Sequence, residues 1–291
     1  MHLFVNDLTV MDFSYLCPKR GMVGESWIVD VVLNGALNEE SMVLDFGKVK
    51  KELKYLIDEY VDHKLLVPAE HAFVKLGNDH RNDNVIVNFV RPEKEIALSC
   101  PPEAYAFIYA EEVTMESVSQ YLKEIIATHL PENVDDITLS LRTEVIDGAF
   151  YHYTHGLKKH DGNCQRIAHG HRSKILVKLD GQFDEKWQRY WANRWSDIYI
   201  GTTEDIVAAS QLSESLQKIA PQGDYYCFAY ESSQGEFELI IPKAESEIVD
   251  TDSTVECLAQ YLANEQAALT PDTSVEVVAF EGVGKGAIAY A

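Results

Sequence analysis

One pattern of elements occurs twice along this chain of 291 residues, and it limits the possible folds more than any single motif. In the first half an apolar strand, Trp27-Ile-Val-Asp-Val-Val-Leu33, ends in Asn34-Gly35; in the second, Lys174-Ile-Leu-Val-Lys-Leu179 ends in Asp180-Gly181. Both endings are turn pairs, because Gly and, less readily, Asn or Asp accept positive φ. Further on, Val113-Thr-Met-Glu116 and Ser253-Thr-Val-Glu256 each open a helix-period pattern. The apolar positions are Val118, Tyr121, Leu122, Ile125 and Ile126 in one, and Val255, Leu258 and Leu262 in the other. Each half then closes on a strand and a glutamate, Glu144 and Glu281. The chain reads as an internal duplication of an α+β unit, with residues 1–148 and 149–291 as its two copies.

The copies are unequal where chemistry is concerned. The second carries Tyr151-His-Tyr-Thr-His155-Gly-Leu157, then Cys164, then His169-Gly170-His171 at the head of an alternating strand. Side chains on a strand repeat every two residues, so His169 and His171 share a face. A neighbouring strand carrying His155 completes a set of three imidazoles. Three neutral nitrogens suit zinc and leave a fourth position open, the layout of a catalytic site. The nearby thiol is then placed to act as a base, unless Cys164 is a small apolar filler. Aligning the first copy puts Ser14 at the position of His155 and Val23-Gly24-Glu25 at His169-Gly170-His171, so that copy has no imidazoles for a metal.

Composition narrows the partners. The 46% apolar and 25% charged fractions are those of a soluble globular protein, and the length allows one large or two ordinary domains. No apolar run approaches the roughly 18–20 residues needed to cross a bilayer. The first residues, Met-His-Leu-Phe-Val-Asn-Asp, do not resemble a signal peptide. Cys17, Cys100, Cys164, Cys227 and Cys257 lack paired spacing, which points to reduced thiols and a cytoplasmic location. A net charge of −22 disfavours nucleic acid and anionic membranes as partners. It also opposes a phosphorylated substrate, although Lys158, Lys159, His160, Arg166, Arg172 and Lys174 gather around the histidines.

The histidine run resembles the 6-pyruvoyltetrahydropterin and 6-carboxytetrahydropterin synthase family of the tunnelling fold. Members carry Phe-Ser-Ala-Ala-His-x-Leu, then a cysteine, then His-Gly-His opening the next strand, and His155, Cys164, His169 and His171 follow that order. Val61-Asp62-His63 in the first half is similar to the family's Leu-Asp-His, whereas the corresponding stretch of the second half, Glu185 to Trp195, has no Asp-His pair. Its Trp187, Tyr190, Trp191 and Trp195 fall at helical spacing and read as core or subunit interface. The resemblance implies two tandem tunnelling-fold domains, each an antiparallel sheet with two helices on one face. It implies assembly into an oligomeric barrel that closes the sheet edges. It further implies zinc (Zn2+) on His155, His169 and His171, with Cys164, Asp62 and His63 catalytic. Glu281 or its counterpart Glu144 would anchor the pterin ring, and Thr254 and Glu256 would bind substrate.

Some of these residues have plainer readings. Asp62 and His63 end a helix, where a cationic imidazole complements the macrodipole. Ser253-x-x-Glu256 has the spacing of a capping box. In the family the site lies between subunits, so the two copies each keep one side of it; whether they meet within or between chains is open at this stage. Insertions at Phe73–Glu112 and Gly201–Asp252 depart from small family members, and Asn84–Val90 and Phe237–Ile241 read as added hairpins. The implied activity is a zinc-dependent lyase on 7,8-dihydroneopterin triphosphate, eliminating triphosphate to give a 6-carboxy- or 6-pyruvoyl-tetrahydropterin. The alternatives are a non-catalytic pterin or purine binder or scaffold, and a metal-dependent hydrolase acting on another cyclic substrate.

Overall fold

A computed structural model describes residues 1–79 and 82–291 of the chain. The first half opens with two long antiparallel strands, β1 (His2–Cys17) and β2 (Gly21–Gly35). Helix α1 (Phe46–Tyr60) follows, capped by Asp45, whose side chain accepts from Lys48 N. Then come β3 (Leu65–Pro68), β4 (Val74–Asp79), β5 (Asn84–Val90), β6 (Glu95–Cys100), β7 (Tyr105–Ile108), α2 (Met115–Ala127) and β8 (Val134–Thr143). The second half runs β9 (Phe150–His155), β10 (His169–Leu179), β11 (Gln182–Phe183), α3 (Glu185–Arg194) and β12 (Ile198–Thr202). It continues with α4 (Glu214–Ile219), β13 (Tyr225–Ser232), β14 (Gly235–Pro242), β15 (Ser246–Val249), α5 (Val255–Leu269), β16 (Val275–Phe280) and β17 (Gly286–Tyr290).

Two sheets have corresponding strand orders, β7-β3-β1-β2-β8 and β15-β12-β9-β10-β16, the second extended by β17 outside β16. Both are mixed rather than antiparallel, which corrects the expectation from the sequence. β3 and β7 run parallel to β1, and β12 and β15 run parallel to β9. A tight turn, such as that between β1 and β2, forces antiparallel pairing; a connection that passes through a helix does not. The helices cover one face of each sheet. Met11, Phe13, Val29 and Val31 pack under Leu53 and Ile57 of α1 and Leu122 and Ile126 of α2. Tyr151, Tyr153, Ile175 and Val177 pack under Trp191 of α3 and Leu258 and Leu262 of α5. Trp191 and Trp195 are fully buried core residues. No described helix is long and apolar enough to cross a membrane.

The insertions form a third sheet, β13-β14-β6-β5-β4, in which β14 of one half pairs with β6 of the other. Its apolar face (Val87, Phe89, Leu98, Phe237 and Leu239) packs on Ile167 and Ala168, which lead into β10. It also holds the preceding loop. Tyr230 donates to Gln165 O at 2.7 Å, and Gln234 Nε2 donates to Asn163 Oδ1 at 3.0 Å. Cys164 lies between those two anchors.

The halves also meet directly, with the β1–β2 hairpin against β9–β10. Ser14 Oγ lies 2.7 Å from Thr154 Oγ1, and His152 Nδ1 donates to Gly24 O at 2.7 Å. The backbones approach so closely that a Cβ on Gly24 would collide with Tyr153 O and His171 N. Strand register refines the correspondence between the halves. Tyr15 pairs with Val23 as His155 pairs with His169, so Tyr15, not Ser14, stands at the position of His155. A second correction concerns α5. Its N-cap is Thr254, accepting from Cys257 N at 3.4 Å, so the spacing Ser253-x-x-Glu256 is not a capping box. Ser253 is instead turned inward and buried.

Candidate active site

His155 ends β9, and His169 and His171 begin β10. The antiparallel register sets His169 directly opposite His155, and the two-residue period brings His171 to the same face. Ring centroids are 4.5 Å apart for His155 and His169, 5.3 Å for His155 and His171, and 5.6 Å for His169 and His171. One ring nitrogen from each lies within 4.8 Å of the others. All three are buried.

Each ring is oriented by a group behind it. His155 Nδ1 donates to Ser253 O at 2.9 Å and His169 Nδ1 to Arg166 O at 3.1 Å. A carbonyl can only accept, so each of these rings carries its hydrogen on Nδ1 and leaves Nε2 bare. Burial, aided by neighbouring positive charges, holds both well below the usual imidazole range, so they are neutral. His171 Nδ1 lies 3.2 Å from Asp12 Oδ1. His155 Nε2 and both ring nitrogens of His171 are buried without a hydrogen-bond partner, Asp12 facing His171 at ion-pair distance. Buried acceptor nitrogens left bare and gathered in one place fit a metal ion, because such atoms are otherwise costly to bury.

Asp12 comes from β1, in the other half of the chain. Its Oδ1 accepts from Ser26 Oγ at 2.5 Å, and Lys285 Nζ lies 3.2 Å from Oδ2. Burial opposes its charge, but His171, Lys285 and Ser26 outweigh burial and hold the carboxyl well below its usual range.

The turn after α1 supplies the remaining groups. Val61 caps the helix, and His63 takes a left-handed φ of 56°. Asp62 Oδ1 accepts from Asp12 N at 2.7 Å and His63 N donates to Asp12 O at 2.7 Å, which ties this turn to β1. Asp62 Oδ2 lies 2.7 Å from His63 Nδ1. The His63 ring is 5.2 Å from that of His169, and His63, Cys164 and His169 form a second group of donor atoms within 4.8 Å. Burial lowers the pKa of His63, yet hydrogen bonds to Asp62 and Cys164 more than compensate and push it up to about 10. Below that pH the ring is cationic. The Asp-His pair of the first half and the histidines of the second therefore meet within one chain.

Glu281 follows β16, with Oε1 3.9 Å from His171 Nε2 and Oε2 3.9 Å from Lys285 Nζ. Glu144 is not part of this group; Lys174 Nζ donates to its Oε1 at 3.1 Å. Thr254 is committed to capping α5, and Glu256 is exposed in its first turn. Sequence reasoning missed Asp12, Ser253 and Lys285. Asp12 had a signal, a carboxylate between Met11 and Phe13 in an otherwise apolar stretch. In the first half the corresponding place holds Tyr15, Val23 and Glu25, whose carboxyl burial pushes up to about 7. Among the described residues, no group able to hold a metal is found there.

Part of this chain is similar to known proteins. Residues 18–147 match the family described as 6-pyruvoyl tetrahydropterin synthase. A protein of Methanocaldococcus jannaschii, provisionally named 6-carboxy-5,6,7,8-tetrahydropterin synthase, is 29% identical over 140 residues, 46% of this chain and 82% of that protein. One of the same provisional name from Pyrococcus horikoshii is 26% identical over 131 residues, 45% of this chain and 74% of that protein. Among solved structures, the Plasmodium falciparum 6-pyruvoyl tetrahydropterin synthase aligns with 48% of this chain and 90% of its own at 16% identity and a TM-score of 0.40. The matched segment contains Asp62 and His63 and ends before the hairpin that carries the three histidines. Over residues 18–147, a little under half its length, this chain is similar to the 6-pyruvoyl tetrahydropterin synthase family.

Proposed function

We propose that this chain is a zinc-dependent pterin lyase that acts on 7,8-dihydroneopterin triphosphate and eliminates triphosphate, yielding a 6-pyruvoyl-tetrahydropterin or, with loss of a two-carbon fragment, a 6-carboxy-tetrahydropterin. The observation that carries the reading is the convergence of Asp62, His63 and Cys164 on the histidine trio within one chain. The family match and the names of the two curated relatives support it, and those names favour the 6-carboxy product.

His155, His169 and His171 would hold zinc, with Ser253, Arg166 and Asp12 keeping the rings in place. When bound, zinc would supply Lewis acidity toward the hydroxyls of the substrate side chain. Cys164 would take the proton from the adjacent side-chain carbon. His63, kept cationic by Asp62, would deliver or recover a proton at the neighbouring position. Glu281 would accept from the ring N–H and amino group of the pterin; the carboxylate of Glu144 is engaged by Lys174. Thr254 and Glu256 keep substrate-binding roles only by family resemblance.

Residues 1–148 and 149–291 are read as tandem copies of one domain, a reading supported by their corresponding strand orders. Among the described residues β7, β8, β15 and β17 end these two sheets, which supports assembly of several chains that would pair such edges. The test of the activity is incubation of the purified, zinc-loaded chain with 7,8-dihydroneopterin triphosphate, following pterin absorbance and triphosphate release. Consumption of the substrate is expected. Stable binding of the pterin without consumption would instead make the chain a binder or scaffold.

A further inference from the structure

Six cationic residues crowd the histidine run and its neighbourhood, and their partners separate them. Lys158 is paired with Glu204 and Asp205, Lys159 with Glu204 and Asp252, and Lys174 with Glu144. Arg172 donates to Glu144 O at 2.9 Å and lies over the Phe150 ring. Arg166 is different. It is 5% exposed, its Nε has no partner, and Nη1 reaches only the carbonyls of Asp62 and His63, each at 3.5 Å. A second cation, Lys64, is 7% exposed and follows directly on His63, whose carbonyl Arg166 Nη1 reaches. Among the described residues neither has a carboxylate within 4.0 Å; Glu59 and Glu103 act on both from farther away, and Asp62 acts on Arg166 as well.

Two buried like charges without a close counterion are costly, and in a chain of net charge −22 carboxylates to pair with them are plentiful. Their placement is also specific. Lys64 follows His63 directly, and Arg166 lies two residues beyond Cys164. A surface cleft lined by Pro101, Glu103, Ala104, Gln234 and Phe237 has Arg166 in its wall.

We propose that Lys64 and Arg166 are the seat of a polyphosphate chain carried by the substrate. The ligand brings the close negative partner that neither cation has within 4.0 Å among the described residues. A guanidinium fork binds two phosphate oxygens together, and an ammonium group adds a point charge beside it. This assignment rests on the triphosphate reading of the site, but its test does not need turnover.

Inorganic triphosphate is titrated calorimetrically into the full-length protein and into its Lys64→Gln, Arg166→Gln and Lys159→Gln variants, with metal content measured on each. The native chain is expected to bind. Lys64→Gln and Arg166→Gln should weaken binding about tenfold or more with metal content kept, and Lys159→Gln should bind as the native chain does. If Arg166→Gln does not fold, Arg166→Lys carries the test, because it keeps the charge, loses the fork and should still bind more weakly. No binding by the native chain, or native-like binding by both Lys64→Gln and Arg166→Lys, would overturn the assignment. Turnover of the pterin triphosphate with an unchanged KM in Lys64→Gln would remove this seat and leave the lyase intact. Triphosphate binding that depends on both cations, in a chain that consumes no pterin, would support the seat and defeat the lyase.

Discussion

Cys164→Ala is expected to retain bound metal and to lose turnover by about a hundredfold or more, the usual size of a lost general acid–base contribution. The thiol is on a turn between two anchors to the third sheet, so removing Sγ leaves the loop where it is. The three histidines take their positions from strand register and from Ser253, Arg166 and Asp12, none of which depends on the sulfur. Metal binding and proton transfer should therefore separate. His63→Gln is expected to cost a similar factor, and the double variant little more than either alone, since the two groups act on one proton path. Metal analysis and single-turnover rates on the three variants check this. Native rates in Cys164→Ala would exclude the thiol from the chemistry.

Asp12→Asn is expected to weaken metal binding about 10–100-fold, the usual cost of losing the group behind a ligating imidazole. Asparagine keeps the shape and can still accept from Ser26, but it removes the charge that faces both His171 and Lys285. His171 and the exposed Lys285 would each keep only Glu281, at 3.9 Å, so the loss of stability is expected to be smaller than the loss of metal affinity. Competition with a chelator of known affinity measures the first effect and thermal unfolding the second. Native metal affinity in Asp12→Asn would mean that strand register alone orients His171.

Asp12 also marks where the sequence ceased to be informative. His169 and His171 were legible as a same-face pair because the period of a strand is fixed, and His155 because one neighbouring strand suffices to present it. The apolar stripe of α1 and the hairpins at Asn84–Val90 and Phe237–Ile241 were legible for the same local reason. What depends on distant pairing was not. The parallel placement of β3 and β12 follows from connections over a sheet face, and the match of Tyr15 to His155 follows from long-range register. The cap of α5 shifted by one residue because Ser253 is drawn inward to His155, a demand made by a residue 98 positions away. Lys64 and Lys285 carry no local signal; only the packing of one half on the other gives them their surroundings.

The most direct measurement is the metal content of the pure full-length chain, before and after exhaustive chelation and reloading, beside that of His169→Ala. The account predicts close to one zinc per chain in the native protein and at least a large loss in the variant. Native protein that remains metal-free after reloading, or a variant that holds zinc as well as the native chain, would contradict it.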